Sequence, residues 1–561
     1  MNNEPDILSE IDESLLSLNG SPSSDEEAII PNKKFNKKKS DLPVIPDPEY
    51  VWSQDDIAET ILGNILHQTS SEKEPIEYFS YFFSDDILDI LVRETNNYSQ
   101  QRSNDDDMEL TLEELKVFLG LWIFMGICKL PSYHDYWSGL TRIQFVVDAM
   151  SERRFQLIRA RLHVFDNTSI PEDNTDPLIK VRPLLQHIKK KCNELPQNTT
   201  TFSIDESMSP YKGTKAGPLR QYVKGKPHKW GFKAFMLTGS AGVVYDFLVY
   251  AGGKTFELEG VVEQDGLGVG GNFVSHLCKT IQKPRISSVC FDNYFTSIAL
   301  VCHLEEKLGL LSIGTIRANR TKGCPLPSDK ELLKQGRGTS AVRSTANGKV
   351  AVVKWADNRV VTLAGSWAGL KPEKEIMRWD KKAHKKVPVS CPKIVQHYNA
   401  YMGGVDLFDM LMHLYRLPSR AKRWPIPLIA YLIDIALVNG FLLCSMDKKA
   451  DQSEDKPLAS KAFRLKVVES LLSCKQRRKR VGRPTLEESM RVEKAPRNST
   501  KKLPPENVRY DKINHMVTFD QKKGRCKNCA DGFTFAKCSK CNVMLCVLQH
   551  RNCFNEFHLD E

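Results

Sequence analysis

A change in hydrophobic periodicity near residue 200 restricts the fold of this 561-residue chain more than any other feature. From residue 77 up to that point, apolar residues recur every three or four positions, as they do in amphipathic helices. Beyond it, short segments rich in β-branched and aromatic residues predict five strands, at 201–205, 231–237, 243–250, 286–292 and 311–316. Helical patterns at 273–281 and 297–308 separate the last three strands.

The order of these elements predicts the connections of a layered α/β fold. Three successive strands are typical of antiparallel hairpins, and strands that alternate with helices are typical of parallel crossovers. Residues 317–388 hold many Lys, Arg and Gly residues around strand-like pieces at 349–355 and 359–363, which we interpret as a β-rich insertion. Helical patterns return at 396–414 and 427–444.

The most apolar segment, residues 428–444, predicts a buried helix rather than a membrane span. It is 17 residues long and contains Asp434 and Asn439, whereas a span needs about 20 apolar residues. The polar, acidic N-terminus is the reverse of a secretory signal, and 15 cysteines are an odd number for a disulfide framework. We therefore expect a soluble intracellular protein with no membrane partner.

The distribution of charge indicates a polyanionic partner. The net charge is +11, and residues 1–30 contribute −8 because they hold eight acids and no Lys or Arg, so the remainder carries +19. A body that basic favours nucleic acid as its partner. The first 75 residues, acidic and then Lys-rich, have the composition of a disordered arm, and the lysines at 33–39 are equally well interpreted as a nuclear localisation signal or as a solvated linker.

Four aspartates have the sequence context of a catalytic site. Asp205 and Asp292 stand at the ends of predicted strands, while Asp406 and Asp409 are spaced i, i+3 on one helix face. Carboxylates on neighbouring strand ends and a facing helix can hold two divalent cations, which activate a nucleophile and stabilise the leaving oxygen in phosphoryl transfer. Mg²⁺, or Mn²⁺ in its place, suits such a set. Taken singly, each aspartate is equally consistent with a turn or capping residue.

The last 36 residues contain a dense set of metal ligands. Four pairs spaced Cys-x2-Cys, Cys-x2-Cys, Cys-x3-His and Cys-x4-His supply eight ligands, enough for two tetrahedral structural Zn²⁺ ions. In an interleaved, RING- or PHD-like arrangement, one ion takes the first and third pairs and the other takes the second and fourth; sequential pairing is the alternative. The predicted ligands are Cys526, Cys529, Cys538, Cys541, Cys546, His550, Cys553 and His558.

Basic residues close to the aspartates and to the cysteine cluster are candidate DNA contacts, since phosphate neutralisation by Lys and Arg supplies affinity for any sequence. A basic linker at 475–502 contains Gly-Arg-Pro within a Lys/Arg run. The run resembles an AT-hook, but we favour its interpretation as a nuclear localisation signal, and both over an inert linker. Each residue taken singly is also consistent with an ordinary surface charge. The candidates are Arg317, Arg320, Lys322, Arg416, Arg420, Lys422, Arg423, Arg480, Arg483 and Arg525.

Three blocks of sequence resemble the catalytic blocks of piggyBac-type transposases. The first joins SIDESM at 203–208 with KWGFK at 229–233, and the second is FDNYFTS at 291–297, followed by GTIR at 314–317. The third is YNAYMGGVDLFD at 398–409. The blocks occur in order, and the resemblance covers residues 76–561.

This resemblance implies a DDE/D transposase with an RNase H-like core, whose essential aspartates map onto Asp205, Asp292 and Asp406 and whose additional one maps onto Asp409. Asp205 and Asp292 would share the metals, Asp406 would hold the second ion, and Asp409 would support them. Members of the family cut transposon ends, resolve a hairpin and insert at TTAA. The implied divisions are an arm (1–75), a helical dimerisation and DNA-binding domain (76–200 and 413–474), a catalytic core (201–316 and 391–412), an insertion (317–390), a basic linker (475–523) and a zinc domain (524–561).

The implied protein acts in the nucleus on double-stranded DNA, as at least a dimer because two ends must be processed. Two other functions compete with this interpretation. A domesticated relative would keep DNA binding without transposing, and the four intact aspartates weigh against it. A RING-like ubiquitin ligase would use the zinc module, but a terminal, basic module on a nuclease-like core disfavours it.

Overall fold

The computed structural model describes residues 50–63, 65, 73–102, 108–226, 228–381, 383–450, 457–474, 503–529 and 531–559. The chain divides into two compact units, Met1–Gln476 and Arg477–Glu561, which we describe separately. Most of the predicted arm and of the basic linker, including Arg480 and Arg483, lies outside the described residues.

The first unit is built on one mixed sheet of ten strands. The strand order is β1-β8-β9-β10-β7-β6-β2-β4-β3, with β5 also paired to β4. The strands are β1 (Trp52–Ser53), β2 (Thr201–Pro210), β3 (Gln221–Tyr222), β4 (Trp230–Gly239), β5 (Val244–Val249), β6 (Ser288–Phe291), β7 (Leu311–Thr315), β8 (Ser340–Thr345), β9 (Ala351–Ala356) and β10 (Val360–Gly365).

The predicted series of three strands, helix, strand, helix and strand is present as β2, β4, β5, β6 and β7. β2 and β4 form a long antiparallel hairpin and β5 pairs antiparallel with β4, whereas β6 pairs parallel with both β2 and β7. The mixed α/β architecture expected from the sequence is therefore confirmed. β2 runs to Pro210, five residues beyond its predicted end, so Asp205 lies inside the strand rather than at its terminus.

The segment interpreted as an insertion is not a separate sheet along its whole length. Strand β10 pairs antiparallel with β7, and β9 and β8 follow, so three strands of this segment extend the central sheet. This pairing satisfies the backbone groups that β7 would otherwise leave open at an edge. A separate two-stranded ribbon follows, made of β11 (Lys374–Asp380) and β12 (Lys385–Cys391).

Helices of the first unit pack on the sheet and on one another around one large apolar cluster and two smaller ones. They are α1 (Pro75–Phe82), α2 (Asp85–Arg102), α3 (Leu112–Ile127), α4 (Gln144–Ala149), α5 (Glu152–Arg161), α6 (Arg182–Asn193), α7 (Thr255–Glu259), α8 (Gly268–Cys278), α9 (Ile298–Leu308), α10 (Asp329–Gln335), α11 (Lys393–Tyr401), α12 (Gly404–Leu414), α13 (Pro425–Ala450) and α14 (Ser460–Ser473).

Helix α13 contains the apolar segment predicted to be buried. Among the described residues it is the one helix long and apolar enough to cross a membrane, and 89% of its most apolar window is buried inside the protein. It packs against α1, α6, α12, α14 and β2. Asn439 and Asp434, within this apolar segment, both have partners: Asn439 bonds both backbone groups of Val244, and Asp434 forms an ion pair with Arg464 of α14.

The single helix predicted at 396–414 is wrong, because α11 and α12 are separated at Met402 and Gly403. The close approach of α12 to the sheet explains the break. A Cβ atom at Gly404 would lie 2.5 Å from the carbonyl oxygen of Gly239 and 2.6 Å from Oγ of Ser203. Only glycine allows the first turn of α12 to rest on β2 and β4 in this way.

The second unit is a small module with little regular structure. It contains α15 (Glu506–Arg509), the antiparallel hairpin of β13 (Val517–Arg525) and β14 (Phe533–Cys538), and α16 (Cys553–His558). Its buried cluster consists of six cysteines, one of them partly buried, with a few apolar residues such as Leu545 and Phe557. An interior of this composition indicates a module that metal ions hold together.

Candidate catalytic and zinc centres

The parallel register of β2 and β6 brings Asp205 and Asp292 side by side. Ile204 is the partner of Phe291 in that register, and the two aspartates directly follow these residues. Neighbouring strands lie about 4.8 Å apart, so the two carboxyl groups emerge at the same level of the sheet. Thr315, the last residue of β7, donates a hydrogen bond of 3.1 Å to Oδ1 of Asp292.

Helix α12 lies along the face of β2 that carries Asp205. Side chains alternate along a strand, so Ser203, Asp205 and Ser207 point to the same side. Gly404 rests on Ser203, and Asp409 accepts a hydrogen bond of 2.6 Å from the hydroxyl of Ser207. The hydroxyl of Ser207 in turn accepts one of 2.8 Å from Tyr431 of α13. Asp406, between the two contact points on α12, is exposed beside this face.

Two of these aspartates have raised pKa values, which favour the neutral form of the carboxyl group. Burial raises the pKa of Asp205 to about 7, with the nearby charge of Asp292 contributing and Lys226 opposing. Burial also raises the pKa of Asp409 to about 6, although its hydrogen bond from Ser207 lowers it. Carboxyl groups with such shifted pKa values are typical of functional sites, where burial and neighbouring charges act together.

Lys226, which the sequence analysis did not select, supplies a positive charge to this group. Its Nζ donates a hydrogen bond of 3.0 Å to the carbonyl oxygen of Glu206. Burial opposes its charge, but the carboxylates of Asp205, Glu206, Asp409 and Asp406 raise the pKa of Lys226 above its ordinary value. No local pattern identifies this residue, since it lies in a turn 21 positions after Asp205.

A second residue that the sequence analysis did not assign a role is Tyr398 of α11. Burial, together with the nearby charges of Asp292 and Asp205, raises the pKa of Tyr398 above its ordinary value, whereas a hydrogen bond with Thr315 lowers it. Its hydroxyl therefore stays protonated and available as a donor beside Asp292.

The carboxylates fit a divalent cation by their chemistry, though not as a tightly closed set of ligands. Within the described residues, the groups of four ligand atoms that lie within 4.8 Å of one another are all in the second unit. Asp205, Asp292 and Asp406 are hard oxygen donors of the kind Mg²⁺ prefers. The raised pKa of Asp205 indicates a carboxylate whose charge is incompletely compensated by Lys226.

The first group of the second unit consists of four cysteine sulfurs, those of Cys526, Cys529, Cys546 and Cys553. The Sγ atoms of Cys529 and Cys546 are 3.9 Å apart, close to the edge of about 3.8 Å expected for tetrahedral Zn–S bonds of 2.3 Å. Burial would raise the pKa of Cys526, but hydrogen bonds from the backbone of Cys529, Asn528 and Cys546 lower it to about 7. A Cβ atom at Gly532 would lie 2.5 Å from Sγ of Cys546, so glycine is needed to make room for this group.

The second group consists of His515, Cys538, Cys541 and His558. Nε2 of His558 lies 3.4 Å from Sγ of Cys541, and Nδ1 of His515 lies 3.3 Å from Sγ of Cys538. The other ring nitrogen of each histidine is also engaged. Nε2 of His515 pairs with a carboxylate oxygen of Asp511 at 3.0 Å, and Nδ1 of His558 with the carbonyl oxygen of Phe554 at 2.7 Å. Such partners orient the histidine ligands of zinc.

The structure corrects one predicted ligand and one predicted pairing. His550 belongs to neither group and is exposed. Cys553 completes the first group in its place, and His515 takes the position predicted for Cys553 in the second. His550 follows Cys546 at a plausible ligand spacing but lies in the turn before α16, whereas His515 precedes the dense cluster. The two groups interleave along the chain, as in the first of the two predicted arrangements.

Comparison with known proteins identifies the family. The model of the family described as Transposase IS4 matches residues 74–441. Human PiggyBac transposable element-derived protein 3 is 31% identical over 492 residues, which cover 87% of this chain and 77% of that protein. This chain belongs to the piggyBac transposase family.

Further relatives agree with this assignment. Human PiggyBac transposable element-derived protein 2 is 28% identical over 551 residues, which cover 96% of this chain and 85% of that protein. A cryo-EM structure of a piggyBac transposase synaptic complex with hairpin DNA matches with a TM-score of 0.61 and 23% identity. The match covers 85% of this chain and 95% of that one, and it shows that the piggyBac fold is shared.

Three of the predicted DNA contacts have structural partners in this piggyBac-family protein. Arg320 donates to the carbonyl oxygens of residues 293, 294 and 296, and so fixes the loop that follows Asp292. Arg423 donates to the carbonyl oxygens of residues 160 and 162, at the end of α5. Arg416 donates to Oγ of Ser209 at 3.0 Å, and burial lowers its pKa. The guanidinium groups of these three arginines, which we predicted to bind phosphate, thus donate hydrogen bonds within the protein.

The other described candidates lie on the surface or close to it. Arg317, which contacts Oδ1 of Asn293 at 3.3 Å, is exposed in the segment after β7. Arg420 and Lys422 are exposed in the segment after α12, and Lys322 is half-buried. In the second unit Arg525 is exposed, with its guanidinium 5.9 Å from the ring centre of Phe533. As DNA contacts, all of these remain predictions.

Proposed function

We propose that this protein is a metal-dependent DNA transposase that cleaves strands at the ends of its own element, using an RNase H-like core. The observation that carries the proposal is the adjacency of Asp205 and Asp292 on parallel strands, beneath a helix that carries Asp406 and Asp409. Membership of the piggyBac family supports the same class of reaction.

In this function Asp205, Asp292 and Asp406 would hold Mg²⁺ or Mn²⁺. The bound ions would activate a water or a 3′-hydroxyl and stabilise the leaving oxygen. Asp409 is held by Ser207, so its role is to fix the acidic face of α12 against β2. Thr315 orients the carboxylate of Asp292, and the protonated hydroxyl of Tyr398 can donate a hydrogen bond to a phosphate oxygen beside it.

The remaining parts of the proposal concern the DNA and its location. Double-stranded DNA with the element's terminal repeats is the expected substrate, processed through a hairpin and inserted at TTAA by at least a dimer in the nucleus. The net charge of +11 supports a nucleic-acid partner, and the interleaved Cys/His groups support a module with two structural Zn²⁺ ions. Lys522, Lys523, Arg525 and Lys527, which are all exposed, would bring this module to the terminal repeats.

The second candidate function is DNA binding without transposition. It is favoured by the similar human proteins, whose names describe them as transposable element-derived. The two candidates differ in their use of Asp205 and Asp292. A protein that only binds DNA has no need of carboxylates directed to one face beside a half-buried lysine.

An excision assay tests the proposal. A donor plasmid carries the terminal sequences that flank the encoding gene, with TTAA on both sides, inside a reporter gene. The wild-type protein should restore the reporter and leave a single TTAA, while Asp205→Asn should bind the same ends without excision. Asp173→Asn, at an exposed loop residue, is the matched control and should behave like wild type. Binding of the ends by wild type without excision would favour the second candidate.

A further inference from the structure

The connection between β2 and β4 combines a strong positive charge with exposed aromatic rings. Residues 211–229 contain six Lys or Arg residues and no acidic residue. No Asp or Glu occurs from residue 207 to residue 245. A run of one sign beside a site built for phosphate chemistry attracts the backbone of a nucleic acid.

Two of the rings are neighbours on the paired strands β3 and β4. Tyr222 and Trp230 are directly paired in the register of β3 and β4, and their ring centres are 4.9 Å apart at an angle of 60°. The guanidinium of Arg220 lies 3.7 Å from the centre of the Trp230 ring. Tyr222 and Trp230 nevertheless remain 39% and 40% exposed, so the group presents aromatic surface to solvent.

The turn of the same hairpin lies beside the aspartates of the proposed catalytic site. Lys226, between Tyr222 and Trp230 in the chain, contacts the carbonyl oxygen of Glu206 and lies among the four carboxylates. Along β4, Trp230 is six residues from Met236, the partner of Asp205. At about 3.4 Å per residue this is about 20 Å, or several nucleotides of an extended strand.

We propose that Arg220, Tyr222 and Trp230 form a stacking surface for unpaired bases of the DNA strand whose phosphate lies at the aspartates. The inference rests on the proposed function, because it takes the strand to be a substrate. Within a duplex the faces of the bases are covered by their neighbours, so aromatic side chains gain contact only with bases that have left the stack. The ring pair therefore selects single-stranded or opened DNA, while the lysines of the connection attract either form.

The test compares the binding of two probes to the full-length, zinc-loaded protein without Mg²⁺, so that no cleavage occurs. One probe is a 12-nucleotide single strand containing 2-aminopurine, and the other is a 20-base-pair duplex of the same composition. Trp230→Ala should weaken binding of the single strand about 5- to 150-fold, the range for loss of one stacked base, and change duplex binding less than twofold. Free 2-aminopurine fluoresces strongly, so wild type should quench it and Trp230→Ala should not.

Three further variants keep the result interpretable. Trp230→Phe retains a ring and should preserve most of the preference for the single strand. Tyr222→Ala, like Trp230→Ala, should reduce the preference for the single strand. Trp379→Ala, at another exposed tryptophan, on the ribbon strand β11, is the matched control and should bind both probes like wild type. Equal losses on both probes, or no loss on either, would overturn the inference.

The outcome is separable from that of the proposed function. In the Asp205→Asn background, Trp230→Ala should still cause the larger loss on the single strand, since stacking does not need the metal site. A protein that shows the Trp230-dependent preference but cuts no DNA would contradict the proposed function and leave the stacking surface standing. If the protein cuts transposon ends but Trp230→Ala keeps the full preference for the single strand, the proposed function stands and the stacking surface is contradicted.

Discussion

Nζ of Lys226 lies 3.0 Å from the carbonyl oxygen of Glu206, the residue that follows Asp205 on β2. This contact places an ammonium group among the acidic side chains of Asp205, Asp406 and Asp409. The protein thus brings its own cation to a cluster of like charges that would otherwise repel one another.

Replacement of Lys226 by Gln should destabilise the metal-free protein and increase its response to metal. Loss of the charged hydrogen bond should lower the free energy of unfolding by about 1 to 3 kcal/mol, because the carboxylates lose their counter-charge. Addition of Mg²⁺ should then raise the melting temperature more than it does for wild type. Thermal unfolding with and without Mg²⁺ measures both effects. Lys229→Gln, at an exposed position of the same turn, should change neither.

The metal affinity of the catalytic site should depend on pH, because protons and metal ions compete for the same oxygens. With a pKa of about 7 for Asp205, the apparent affinity should fall as pH decreases below 7, by up to about tenfold per unit for this one displaced proton. The Mg²⁺ concentration for half-maximal thermal stabilisation at pH 6 and at pH 8 checks this. Equal values at the two pH values would contradict it.

The same pKa values set the direction of a change in stability. The pKa of Asp205 is higher in the folded protein than the ordinary value of about 4, so the folded state binds more protons between pH 4 and 7. The contribution of Asp205 to metal-free stability is therefore greatest at low pH and is lost as pH rises to about 7. Asp205→Asn should remove this contribution to the pH dependence of unfolding.

The zinc content of variants distinguishes His515 from His550. His515→Ala should remove a ligand from the second Cys/His group, so that one of two Zn²⁺ ions is released by a chelator much faster than the other. His550→Ala should retain both ions, since His550 is exposed and belongs to neither group. Zinc release monitored by a metal-binding dye measures this. If His550→Ala releases Zn²⁺ faster than His515→Ala does, His550 is a ligand, as spacing alone predicts, and the grouping with His515 is contradicted.

The buried ion pair between Asp434 and Arg464 connects α13 to α14. Both side chains are fully buried, and Nη1 of Arg464 lies 3.4 Å from Oδ1 of Asp434. Arg464→Met should lower the free energy of unfolding by about 3 to 5 kcal/mol, because it leaves a buried carboxylate without its partner. Asp434→Leu combined with Arg464→Met should recover much of the loss in urea unfolding. A double variant as unstable as the two single losses combined would contradict this account.

The central strands were predictable because local pattern determines them, whereas the resemblance to piggyBac-type transposases singled out their aspartates. β-branched runs bounded by glycine or polar turns located β2, β4, β5, β6 and β7, and the strand–helix order gave the parallel pairing that aligns Asp205 with Asp292. Pairings between distant segments were not predictable in this way. The joining of β10 to β7 depends on edge hydrogen bonds, which no single segment reveals.

Site residues supplied by turns and by distant segments were also missed. Lys226 reaches the aspartates from the turn of a hairpin, and a lysine in a basic loop looks the same whether it faces solvent or carboxylates. His515 becomes a candidate ligand only when β13 and β14 bring it beside Cys538. Spacing instead favoured His550, because a Cys and a His separated by three residues fit a zinc site as well as the residues that the structure groups together.

Strand cleavage of a transposon-end duplex in vitro tests the central claim most directly. Wild type and Asp173→Asn should nick the labelled end in Mg²⁺ and not in EDTA. Asp205→Asn, Asp292→Asn and Asp406→Asn should each lose about 100-fold or more in rate while binding the same DNA with unchanged affinity. Cleavage at the wild-type rate by any of these three variants would contradict the assignment of the catalytic site.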